Sequence, residues 1–126
     1  MNNVKTEIKN FYDLETWRKG HELALEIYRI TKDFPKGELY GIISQLRRAA
    51  SSVMANIAEG FERYHFNDKR RFYYQARGSV AEIQNFLLLA KDLKFINVDK
   101  CRALGEKANE TRRLVNGLIK SIENQK

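Results

Sequence analysis

The chain has 126 residues, 43% hydrophobic and 31% charged, enough apolar side chain for one core inside a well-solvated shell. A single cysteine, Cys101, excludes an intramolecular disulfide framework. No apolar run reaches membrane-spanning length, and the polar stretch Met1 to Phe11 lacks the apolar segment of a signal peptide, so a cytoplasmic protein is expected. The formal net charge of +7 favours polyanionic partners and says nothing about fold.

Hydrophobic spacing predicts four helices. The first, over residues 14–33, follows Asp13 as N-cap, and Trp17, Ala24, Ile27, Tyr28 and Thr31 line its apolar face. Leu23, Ile30 and Phe34 widen that face, and Phe34-Pro35-Lys36-Gly37 breaks the helix. The second covers residues 38–62, where Leu39, Ile43, Leu46, Ala50, Val53 and Ile57 recur at alternating spacings of four and three, the pattern of a bundle seam. Gly60 is placed to help terminate it, and Arg63 to Asn67 form a turn. Asn67 or Asp68 caps the third, over residues 68–94, with a core row of Tyr73, Ala76, Val80, Ile83, Leu87 and Ala90. Asn97 caps the fourth, over residues 98–123, with Asp99 near the positive end of its dipole. Its row runs Cys101, Leu104, Ala108, Thr111, Val115, Leu118 and Ile122. Short connections force sequential neighbours to run antiparallel, which gives an all-α, up-and-down four-helix bundle in one domain of residues 1–126. Met1 to Asn10 and Asn124 to Lys126 are expected to fray.

No constellation for catalysis emerges. Glu62-Arg63-Tyr64-His65 holds one Glu-x-x-His pair where a di-metal bundle needs two, and the only other histidine, His21, lies in the first helix. Cys101 falls on a core position without a basic partner, and Ser51, Ser52 and Ser79 lie within helices rather than on a sharp elbow. Gly37 and Gly41 lack the Lys-Ser/Thr of a P-loop. No catalytic residue, metal or cofactor is expected, and the protein reads as non-enzymatic.

Two surface features remain. Gln45, Ser52, Asn56 and Glu59 flank the second helix, and Gln75, Ser79 and Glu82 flank the third, interleaved with alanines and glycine. A polar network between helices or subunits explains them better than a ligand site, with Glu59 and Glu82 candidates to pair with Arg47, Arg48 or Arg77. The segment Arg63 to Arg77 carries five basic residues, one acid and five aromatics. Phe72 and Tyr73 are expected in the core, while Arg70, Tyr74 and Arg77 share a face pointing away from it, with Arg47 and Arg48 of the antiparallel second helix nearby. Candidate nucleic-acid contacts are therefore Arg47, Arg48, Arg63, Lys69, Arg70, Arg71, Tyr74 and Arg77, the cations meeting phosphates and tyrosine stacking on unpaired bases. Leu88 continues the Arg70/Tyr74/Arg77 face and Leu89 the Gln75/Glu82 face, and Leu25 also lies off its stripe. Apolar residues so placed predict self-association. Ser52, Asn56, Glu59, Ser79, Glu82, Leu88 and Leu89 are accordingly the candidates for oligomer or polar packing.

Three runs carry a family resemblance: Asp13-Leu14-Glu15-x-Trp17; Ile27-Tyr28-x-x-Thr31-x-x-Phe34-Pro35; and Gln45-Leu46-Arg47-Arg48-Ala49-Ala50-x-Ser52-Val53-x-x-Asn56-Ile57-Ala58-Glu59-Gly60. With Arg71-Phe72 and Ala76-x-Gly78-Ser79-x-x-Glu82 they resemble the bacterial 23S rRNA-intervening-sequence protein family. Ile43 stands where leucine is usual. The resemblance implies a four-helix bundle assembled into a ring-like homopentamer, in a family for which no enzymatic activity is established. It also implies kinship with the accessory protein of diversity-generating retroelements, whose basic surface serves a reverse transcriptase and its nucleic acid. RNA or another nucleic acid is the partner so implied, and a protein partner docked on the same surface is the alternative.

Overall fold

The computed structural model describes residues 7–125. Four helices carry it: α1 Glu15–Thr31, α2 Ser44–Glu62, α3 Phe66–Asp92 and α4 Val98–Asn124. Each packs on its sequence neighbours and α4 closes back on α1, while the diagonal pairs hardly meet. This is the antiparallel up-and-down bundle, and no strand occurs among the described residues. None of these helices is long and apolar enough to cross a membrane.

The helix ends follow local chemistry that differs from the sequence reading in several places. Asp13 does not cap α1, whose N-cap position is Leu14. Its Oδ2 instead accepts the backbone N–H groups of Asn10 (2.9 Å) and Lys9 (3.1 Å), closing the tight turn Phe11–Asp13. Those bonds hold its carboxyl below the usual carboxylate range. Lys9 and Asn10 are thus tied down rather than frayed, and Asn124 completes α4; of the other residues expected to fray, 1–6 and 126 lie outside the described residues. α2 begins at Ser44 and not at residue 38, because Lys36–Glu38 form a tight turn and Leu39–Ile43 a wide π-type turn. Gly41 there leaves helical geometry (φ −112°, ψ −117°), and Leu39, expected in the seam, is 47% exposed.

α3 starts at Phe66, and neither Asn67 nor Asp68 caps it. Phe66 packs against the core, so apolar docking sets the start in place of a side-chain cap. At the other end Lys94 is left-handed (φ 66°) and two N–H groups turn back, Lys94 to Lys91 O and Phe95 to Ala90 O, both at 2.9 Å. That closure carries Phe95 onto Phe34, ring centroids 5.4 Å apart, so both connections at this end share one apolar contact. Asn97 caps α4 as its sequence predicts, its Oδ1 accepting the Lys100 N–H at 2.7 Å.

The rows of α2 from Ile43 onward and of α3 are buried throughout, and each large side chain so enclosed contributes about 1.5–3 kcal/mol. On α4, Ile119 takes the core position expected for Leu118, which is only partly buried. Tyr28 of α1 is 41% exposed and lies outside the core. Thr31 and Thr111 occupy core positions because their hydroxyls donate to the carbonyls of Ile27 (2.8 Å) and Lys107 (3.0 Å) in their own helices. Across α2 and α3, Ser79 Oγ donates to Ser52 Oγ at 2.8 Å, and Asn56 Nδ2 donates to Ser52 Oγ and O, both at 2.9 Å. The expected polar network therefore forms between helices of one chain. Gln45, Gln75 and Glu82 are exposed and make no hydrogen bond to it among the described residues.

α2 and α3 make the most extensive contact of the bundle, and Gly60 permits its closest point. It does not terminate α2, which continues to Glu62. A Cβ at Gly60 would lie 2.5 Å from Cε1 of Tyr73, whose ring is 2% exposed. Burial pushes the Tyr73 phenol up to about 12.

Two outcomes follow. Gly60→Ala forces the Tyr73 ring or the helix pair apart and lowers stability by about 1–3 kcal/mol, read as a lower urea midpoint at unchanged slope. The folded chain also holds the Tyr73 proton more tightly than the unfolded chain, whose phenol titrates near 10.0. Stability contributed by this group is complete below that pH and falls by about 3 kcal/mol as pH rises to about 12. Urea midpoints measured across that window fall less steeply for Tyr73→Phe than for the wild type.

Candidate nucleic-acid interface

The beginning of α3 gathers four arginines onto two aromatic rings. Phe72 lies under the guanidinium of Arg71 at 4.8 Å and that of Arg63, from the end of α2, at 4.9 Å. Tyr74 lies under Arg77 at 4.5 Å and Arg70 at 5.2 Å, the three sharing one flank through helical spacing. Phe72, expected in the core, is only half-buried beneath its two cations. Each such contact is worth about 0.5–1 kcal/mol at an exposed site, enough to fix a guanidinium without cancelling its charge. Acid partners are fewer: Arg63 meets Glu59 at 3.1 Å and Arg70 meets Glu123 at 3.4 Å. Arg71 and Arg77 have no ion pair among the described residues, and Arg77 Nη1 donates to Asn116 Oδ1 at 3.0 Å.

α4 lines the Tyr74 flank, making an α3–α4 groove that holds Arg70 and Arg77, while Phe72 with Arg63 and Arg71 lies on the flank toward α2. Arg70–Glu123, Arg77–Asn116 and Gln84–Asn109 (2.8 Å) form rungs, one helix rising seven residues as the other falls seven. Arg113 and Lys120, three residues before and four after Asn116, share its side of α4 and are exposed. Sequence reasoning missed these two cations, though the spacing 109, 116, 123 against 84, 77, 70 carried the signal.

Other sequence candidates are engaged elsewhere. Lys69 turns inward, its Nζ donating to the carbonyls of Phe61 (2.8 Å) and Gly60 (3.1 Å), so it caps α2. Desolvation lowers its pKa, against the pull of Glu62. Arg47 does not join the α3 cluster: its Nε donates to Thr31 Oγ1 at 2.9 Å and its guanidinium covers Tyr28 at 4.8 Å. It lies in the α1–α2 groove, opposite the α3–α4 groove. Arg48 is exposed without a hydrogen bond or ion pair among the described residues. Glu59 pairs with Arg63 rather than Arg47, Arg48 or Arg77, and Glu82 makes no ion pair among the described residues. Tyr74, held between two guanidiniums, is not a free platform for a base. Tyr64, in the turn before α3, is 90% exposed and meets the His65 ring in a T-shaped contact, centroids 5.2 Å apart.

No three His, Cys, Asp or Glu side chains gather for a metal ion among the described residues. Cys101 is buried with its thiol directed at Leu87 O, 3.6 Å away. His21 stacks on Trp17 at 4.9 Å, its buried Nδ1 without a hydrogen-bond partner among the described residues.

A family profile described as 23S rRNA-intervening sequence protein matches residues 12–117, most of the bundle. The chain belongs to that family. The fold agrees with a crystal structure of a protein of unknown function from the S23 ribosomal protein family of Bacteroides thetaiotaomicron VPI-5482. That structure is 20% identical, with a TM-score of 0.75 over 83% of this chain and 98% of that one. No curated protein matches the chain. Membership in the 23S rRNA-intervening sequence family accounts for the bundle and leaves its activity to be argued from the surface.

Proposed function

We propose that the protein is a non-enzymatic, oligomeric nucleic-acid-binding component of a ribonucleoprotein, and that the basic corner at the start of α3, together with the adjoining α3–α4 groove, contacts phosphate. One observation carries this reading: four arginines are held by aromatic faces, and among the described residues only two acids pair with them. Where acids hold cations, the surface is neutralised; where rings do, the field points outward. Exposed Arg113 and Lys120 extend it onto α4. RNA is the favoured polyanion because the family takes its name from sequences in 23S rRNA.

A mobility-shift assay with a structured RNA at low and moderate salt tests the proposal. Binding is expected at low salt and declines steeply as salt rises. Arg71→Glu and Arg77→Glu, at cations without ion pairs, each weaken binding and reduce the salt slope by about one. No binding at low salt removes the reading.

Self-association is supported by a second, distinct surface. Leu88 and Leu89 on the last turn of α3, and Leu93 just beyond its end, are 54%, 43% and 49% exposed. Leu88 borders a shallow groove over Leu87, Cys101 and Gly105. A ring of five copies would repeat the basic groove and turn weak contacts into avidity. Light scattering at tens of micromolar is expected to give an oligomer, and Leu88→Lys with Leu89→Lys to dissociate it. A wild-type monomer refutes self-association and leaves these leucines to a different protein, as an adaptor would use them.

A further inference from the structure

The turn between α2 and α3 carries a feature that phosphate contact does not use. Arg63 and His65 are extended (φ −77°, ψ 143° and φ −82°, ψ 140°), and between them Tyr64 projects with 90% of its surface exposed. The turn is braced from below: Lys69 ties the first turn of α3 to the last carbonyls of α2, and its N–H donates to His65 O at 3.1 Å. A braced turn presents its side chain with little ordering left to lose on binding. Among the other aromatic side chains at this corner, Phe72 and Tyr74 are each covered by two guanidiniums, Phe61 lies under Lys69, and Phe66 and Tyr73 pack on the core. Tyr64 is the tyrosine here that stays exposed, with the His65 ring against it at a right angle.

Cations lie close to it in the fold. Arg63 precedes it in the chain, and Arg71 shares the Phe72 ring with Arg63. An exposed aromatic beside fixed arginines matches the chemistry of a nucleotide whose base is unpaired: the phosphate meets guanidinium and the base lies on the ring. A duplex offers the same phosphates but keeps its bases stacked inside. Resting on the nucleic-acid reading above, we propose that Tyr64 is a stacking platform for an unpaired base, so that the preferred ligand is single-stranded RNA or the loop of a hairpin.

The test measures fluorescence anisotropy of a labelled twelve-nucleotide single strand and a blunt duplex of equal length, at low salt, with the full chain. Tyr64→Ala is expected to weaken single-strand binding by roughly 5- to 150-fold, the range for losing one stacked base, and to leave duplex binding unchanged. Tyr64→Phe keeps the ring and retains wild-type affinity for both. Equal single-strand affinity of Tyr64→Ala and wild type overturns the stacking role while leaving the phosphate groove standing. Loss of both ligands in parallel on Tyr64→Ala overturns it too, since it makes Tyr64 a general contact. A wild type that binds neither probe overturns this inference together with the reading beneath it. Because Tyr64 is almost wholly exposed, its substitution is expected to leave the urea midpoint in place, which separates a binding defect from a folding one.

Discussion

The close approach of α2 to α3 at Gly60 sets the geometry of this surface. With no Cβ at that position, one edge of the Tyr73 ring occupies the space a Cβ would take and fixes the height of α3 along its neighbour. Lys69, one turn earlier, secures the same junction by donating to the carbonyls of Gly60 and Phe61. Buried Tyr73 has its neighbours Phe72 and Tyr74 on the two flanks of α3, each within reach of its pair of arginines. A shift of one turn along α2 would separate Arg63 from Phe72, and the α3–α4 rungs would lose their register with Asn116 and Glu123.

The choice of partner for a cation decides whether it is structural or available. Lys69 is desolvated and saturated by carbonyls, and Arg47 is occupied by Thr31 and Tyr28, so both serve the bundle. Arg71 and Arg77 rest on rings, which orient a guanidinium through its face and leave its charge and several N–H groups outward. A census of positive residues along the chain cannot make that distinction.

Much of the fold was legible because burial follows period. The rows of α2, α3 and α4 follow spacings of three and four, and those spacings hold wherever a helix runs uninterrupted. Errors gathered at the ends and wherever tertiary packing overrode local preference. Asp13 and Asn67 are good caps by residue type, yet Asp13 serves a preceding turn and Phe66 outweighs Asn67 by docking on the core. Leu39 was misread because the π-type turn around Gly41 shifts its phase. At the candidate site the segment itself was visible as a cluster of arginines and aromatics. The ring each arginine would choose was not, because that depends on the relative height of two helices, and the exposure of Tyr64 depends on the path of the α2–α3 turn.

An up-and-down bundle of four helices returns the chain to the end from which it set out. Glu123, near the close of α4, touches Arg70 at the start of α3, and α1 begins alongside α4, so both ends of the described chain emerge beside the basic corner. An affinity tag or fluorescent fusion added at either end would therefore start from the same pole as this surface, and an acidic one would screen it. Circular permutation offers a way around this. Linking the two ends and reopening the chain at Gly37, in the exposed connection between α1 and α2, moves any appended sequence to the opposite pole of the molecule.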